Sequence, residues 1–235
     1  MHIQYFGEWD REMSVTNSRA GCKQDVIDAL LRDIPDLWRG HYTAAQGEQG
    51  FSTGFPGLDG ILPNGGWPPR GLVEVVCPRR GMGELQLLIP LMRALTARGQ
   101  WVLWVCPPVP PYAPALVQAG VDIGKLLVVA PGAPLRNALW SMEKALRSCR
   151  LVLAWQNGLS HQVLRRLQLA ANTGNSLAVL FQRGNSGCPY SALRLQLSRA
   201  GGDPGEKAPR VSILRARGNV RCSGVRLEPR ALAGE

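Results

Sequence analysis

Apolar residues in this chain follow two rhythms. Through the middle, short, almost wholly apolar runs alternate with longer segments in which apolar positions recur every three or four residues. The runs at 73–76, 101–105, 126–130, 151–155 and 177–181 predict buried strands, and the segments near 83–98, 113–119, 134–148 and 160–173 predict helices between them. Strands that are apolar on both faces and joined by helices imply a parallel sheet covered on both sides, with right-handed crossovers. Past residue 182 the period falls to two. Leu193, Leu195 and Leu197, then Val211 and Ile213, then Val225 and Leu227 predict antiparallel strands with one solvated face, and the Gly/Pro-bearing stretch 201–209 predicts a loop between them.

Two stretches precede the sheet. Val26, Ile27, Leu30, Leu31, Ile34 and Leu37 make a short amphipathic helix, closed by the turn chemistry of Pro35 and Gly40. That pattern reads as an N-terminal arm over 1–45, ahead of a main domain over 46–235. Residues 53–71 are rich in Gly and Pro and predict tight turns leading into the first core strand.

At 235 residues and 45% hydrophobic content the main domain can bury a sizeable core. No apolar run reaches membrane-spanning length, and the mixed, charged N-terminus lacks the apolar centre of a signal peptide, so the expectation is a cytoplasmic protein with no membrane role. Cys22, Cys77, Cys106, Cys149, Cys188 and Cys222 are too scattered for a metal knuckle or a redox pair and read as reduced, mostly buried residues. His2, His41 and His161 are equally dispersed, so no metal site is expected.

The net charge of +10 is unevenly placed: residues 1–50 carry eight acidic and five basic side chains, residues 183–235 four acidic and ten basic. Arg215, Arg217 and Arg221 in the basic half are candidates for contacting DNA or an acidic partner. The alternative is a solvated strand edge kept from aggregating by charge, in a chain that prefers Arg throughout. Among the tryptophans, Trp101, Trp104 and Trp155 fall in predicted buried strands. Trp38, beside Arg39 in the arm, is a candidate interface anchor, since Trp and Arg dominate binding hot spots; packing of the arm on its own core is the alternative.

The strongest chemical signal follows the first strand. Val73-Glu74-Val75-Val76-Cys77-Pro78-Arg79-Arg80-Gly81-Met82-Gly83-Glu84-Leu85 has the strand, glycine turn and apolar helix start of a nucleotide-binding P-loop. The Lys and Ser/Thr that follow the last glycine in a working loop are replaced by Glu84 and Leu85, so the groups that meet the phosphates and Mg²⁺ are gone. Arg79 and Arg80, next to Gly81, Gly83 and the turn amides, are the residues left to hold an anion, and Glu84 opposes them. No cofactor is expected.

Phe51-Ser52-Thr53-Gly54-Phe55-Pro56-Gly57-Leu58-Asp59, continued by Gly65-Gly66-Trp67-Pro68 and Gly71-Leu72-Val73-Glu74-Val75, resembles the entrance of RecA-family proteins. Residues 119–128 resemble a downstream segment of the same fold. The resemblance implies an α/β fold: a RecA-like P-loop core with a mostly parallel sheet flanked by helices and antiparallel C-terminal strands. Residues 34–40, 110–116 and 164–171 further resemble the ImuA family. That implies a non-catalytic accessory factor in SOS-induced, error-prone translesion DNA synthesis, with an ImuB-like Y-family protein, RecA and an error-prone polymerase α subunit as partners, and DNA as a further one. Residues 72–95, 101–104 and 151–155 also resemble SulA, which implies a second reading, a cell division inhibitor that blocks FtsZ polymerisation. A third reading is a RecA paralogue with weak nucleotide or DNA binding. The second strand runs into Cys106-Pro107-Pro108, where an active RecA relative carries a glutamate, and the fourth ends Trp155-Gln156-Asn157, where a Mg²⁺-linked aspartate is expected, so no enzyme activity is expected.

Overall fold

The computed structural model describes residues 49–79, 81–184, 189–199, 209–216 and 222–227. The arm over 1–45 and its helix, and nearly all of the predicted 201–209 loop, lie outside the described residues.

The chain enters through a turn stapled by one side chain. Asp59 ends a single-turn helix, α1 (Pro56–Asp59). Its carboxylate accepts from Thr53 N at 2.8 Å and Thr53 Oγ1 at 2.6 Å on one oxygen, and from Ser52 Oγ at 2.7 Å on the other. The Thr-Gly and Leu-Asp pairs of the entrance are therefore the two halves of one hydrogen-bonded turn. It lays Phe55, Leu58, Leu62 and Trp67 into the core.

From there β1 (Gly71–Val76), α2 (Ile89–Thr96), β2 (Val102–Val105), α3 (Ala113–Gln118), a 3₁₀ turn (Ile123–Lys125), β3 (Leu126–Val129), α4 (Leu135–Ala145), β4 (Leu151–Trp155), α5 (His161–Thr173), β5 (Leu177–Gln182), β6 (Leu193–Arg199), β7 (Pro209–Ala216) and β8 (Cys222–Arg226) follow in order. They build one eight-stranded sheet in the order β3-β2-β4-β5-β1-β6-β7-β8. Pairing is parallel from β3 through β6 and antiparallel for β6–β7 and β7–β8. Side-chain alternation divides the core between the two faces. Val73, Val75, Leu153, Val179 and Leu195 pack with α2 and the entrance on one side, while Leu72, Val152, Ala154, Ala178 and Leu180 pack with α4 and α5 on the other.

Helix α5 shows how local sequence sets an element. Ser160 caps it by accepting from Val163 N at 3.4 Å, and Leu164, Leu167 and Ala171 repeat at helical spacing on its buried face. Gln168, on the same side, accepts the Leu72 amide at 2.6 Å and ties the start of β1 to the helix.

The expectation of a RecA-like P-loop core flanked by helices is corrected at the unit that would define it. A nucleotide loop opens directly into a helix N-terminus. Here Gly81–Gly83 bend, 84–88 form irregular turns, and helix α2 begins only at Ile89 and spans eight residues. Pro90 explains the late start: it has no amide to donate back along a helix begun at Gly83, but it fits the first turn of one begun at Ile89. Trp101 is a second correction: it stands before β2, 40% exposed, whereas Trp104 is fully buried and Trp155 half-buried. No helix among the described residues is long and apolar enough to cross a membrane.

Candidate functional site

β1, β2, β4 and β5 end side by side and open a shallow cavity at their carboxyl ends, the place where open α/β sheets bind ligands. Its floor is aromatic: Trp155 stacks on Phe181 with centroids 4.7 Å apart and meets Trp104 at 5.4 Å. Arg79 and Arg183 stand at its rim with Glu84.

The loop after β1 closes on itself. Gly81 N–H donates to Glu84 Oε1 at 3.1 Å and Met82 N–H to Oε2 at 2.9 Å. These turn amides are of the kind that cradle a phosphate in a P-loop, and here the chain's own carboxylate takes them. Gly81 (φ 72°) and Gly83 (φ 94°) sit in the left-handed region the turn requires. A Cβ on Gly83 would also meet Pro209 Cγ at 3.1 Å, so the loop is wedged against the start of β7. Burial, and then the charge of Glu84, push the Cys77 thiol up to about 12. It stays protonated and is a poor nucleophile at neutral pH.

The other expected catalytic positions have structural uses. Asn157 Oδ1 accepts the Arg183 amide at 2.9 Å and joins the ends of β4 and β5. Cys106, which leads into Pro107-Pro108, adopts φ 50°, a left-handed conformation uncommon for a side-chain-bearing residue. Among the described residues no group of three His, Cys, Asp or Glu could hold a metal ion.

Of the candidate residues, the structure brings together Arg79, Gly81, Gly83 and Glu84. Arg215 is elsewhere, on β7, where its guanidinium donates to the carbonyls of Pro189 and, at 2.9 Å, Ser191. It straps the segment that enters β6. Trp38, Arg39, Arg80, Arg217 and Arg221 lie outside the described residues.

A polar seam beside this site was not singled out in the sequence. Glu74, in the middle of β1, is fully buried; it accepts from Ser191 Oγ at 2.9 Å and pairs with Arg194 Nε at 3.9 Å. Glu74 is in register with Arg194, and Arg194 with Arg215, so the charges line up across β1, β6 and β7. The one hint in the sequence is an acid inside an apolar run, which in a buried strand demands a partner.

Comparison with known proteins bears on what such a site serves. The family model "Cell division inhibitor SulA" matches residues 72–178. The cell division inhibitors SulA of Yersinia pestis (strain Pestoides F) and of Yersinia pseudotuberculosis serotype O:1b (strain IP 31758) are each 36% identical over 93 residues, 39% of this chain. The chain spans about half the length of these curated relatives, 55%. The crystal structure of SulA from Pseudomonas aeruginosa aligns over 48% of this chain and 98% of its own, at 24% identity and a TM-score of 0.40. These matches to division inhibitors overturn the expected translesion role and its ImuB, RecA and polymerase partners. Over residues 72–178 this chain is SulA-related.

Proposed function

We propose that this chain is a SulA-type inhibitor of cell division that binds FtsZ and withholds it from polymerisation, as a binding protein without catalytic activity. The observation that carries the proposal is the match of residues 72–178 to the SulA family model. The loop supports it: with Glu84 seated on the turn amides, the β1 loop presents a closed surface instead of a phosphate cradle, and action then falls to surface contacts. The finer kinship with the ImuA family rests on residues 34–40, 110–116 and 164–171 and is offered as kinship alone.

The test is overproduction in a bacterial host, with cell length and induced mutation frequency both scored. The proposal expects filaments within a few generations and no change in mutation frequency. Cells of normal length at confirmed expression of folded protein would overturn it.

A further inference from the structure

We infer that the cavity at the carboxyl ends of the strands binds a small carboxylate with a flat aromatic body, its ring laid against Trp155 and its carboxylate held by Arg79 and Arg183. This goes beyond the proposed function and does not depend on it.

The polar groups of the cavity are largely unspent. Gln182, the last residue of β5, lines it at 8% exposure, and its side-chain amide makes no hydrogen bond among the described residues. A buried amide in that state calls for a bound partner. Asn157 spends its oxygen on the Arg183 amide and keeps its NH₂ to donate. Arg79 and Arg183 reach the rim from the ends of two paired strands, β1 and β5, where Cys77 N–H donates to the Gln182 carbonyl at 2.7 Å. Both arginines are exposed, and neither guanidinium pairs with a carboxylate among the described residues.

Charge and shape select the ligand. Glu84 is the one carboxylate of the described lining, and two guanidiniums against it leave the rim net positive. Gly81 and Met82 N–H donate to its two oxygens, so the turn amides that would suit a phosphate are taken. What stays open to an anion is a pair of guanidinium forks, whose planar donors match the two oxygens of a carboxylate. The apolar part of the lining is flat: Trp155 lies on Phe181 with the rings 22° from parallel, a stack that a further aromatic ring extends. An aliphatic acid would forgo that contact, and a cation would meet two like charges.

The probe is benzoate, compared with benzamide, its uncharged counterpart of similar shape, at fixed ionic strength on the full chain. Binding is read from the Trp155 indole N–H signal in a nitrogen–proton correlation spectrum, identified by its loss in Trp155→Phe. Benzoate is expected to shift that signal saturably and to bind about tenfold or more tightly than benzamide. Arg79→Gln with Arg183→Gln, which alters two exposed side chains, should reduce benzoate to the affinity of benzamide while the urea midpoint holds. Equal affinity for both probes in the unaltered protein, no saturable shift of the Trp155 signal, or an undiminished preference for benzoate in the double variant overturns the inference. So does tighter binding of inorganic phosphate than of benzoate, because the cavity would then be a phosphate site.

Discussion

Glu74 and Glu84 are two carboxylates on one strand and loop, and their surroundings give them opposite roles. Glu74 is fully buried in a central strand and its partners, Ser191 and Arg194, come from far along the chain. Glu84 is only half-buried and its partners are amides of its own turn. The first helps to fix how β6 sits on β1, which is a matter of fold. The second fixes only the shape of a loop, and in doing so removes a place where an anion would bind. The same side chain is a tertiary determinant in one setting and a local plug in the other, because burial raises the penalty for an unpaired charge.

Four variants, one of them a double substitution, break or sharpen this contrast. Glu74→Ala removes the buried carboxylate that pairs with Arg194, whose side chain is 13% exposed, and should cost about 3–5 kcal/mol in urea unfolding, the range for breaking a buried pair. Glu74→Leu with Arg194→Met, which removes both charges and keeps the volume, should recover most of that loss; no recovery would mean the pair is not the reason for the cost. Gly83→Ala comes next, at about 1–3 kcal/mol, since its φ of 94° strains any side chain and Pro209 stands in the way. Glu84→Ala should cost about 1 kcal/mol, the worth of exposed backbone bonds that water can replace. An effect as large as that of Glu74→Ala would erase the distinction.

The last effect is one of pH and is absent at neutral pH, where the Cys77 thiol is protonated in both folded and unfolded states. The Cys77 thiol is raised from 9.0 to about 12, so in that window the unfolded state loses a proton that the folded state keeps, and stability falls as pH rises from about 9 to about 12. Cys77→Ala should flatten that decline in urea midpoints measured across the window, while parallel profiles for the two proteins would contradict it.

These contrasts also mark how far the sequence could be read. The strands were legible because β1, β2, β4 and β5 are buried on both faces and so are almost wholly apolar, Glu74 in β1 and Gln182 at the end of β5 apart. The same logic could not separate β3 from them: LLVV reads as a central strand, and only the sheet order puts it at an edge with Leu127 and Val128 in solvent. The start of α2 was misplaced because the glycine turn outweighed Pro90 in the reading. Glu84 was visible as the wrong residue for a phosphate loop, but that it bonds its own turn depends on backbone angles at Gly81 and Gly83. The Glu74–Arg194 pair was out of reach, because it rests on a register between strands distant in sequence. The resemblance of the entrance residues and of 119–128 pointed to RecA and put the SulA-like segments second, whereas the family match over 72–178 is to a division inhibitor.

The most direct test of the account is a polymer sedimentation assay with purified FtsZ, GTP and the full chain, with GTP hydrolysis followed in parallel. The account predicts that stoichiometric amounts of the protein remove FtsZ from the pellet and lower its GTP turnover. Undiminished pelleting and turnover in the presence of excess folded protein would contradict it.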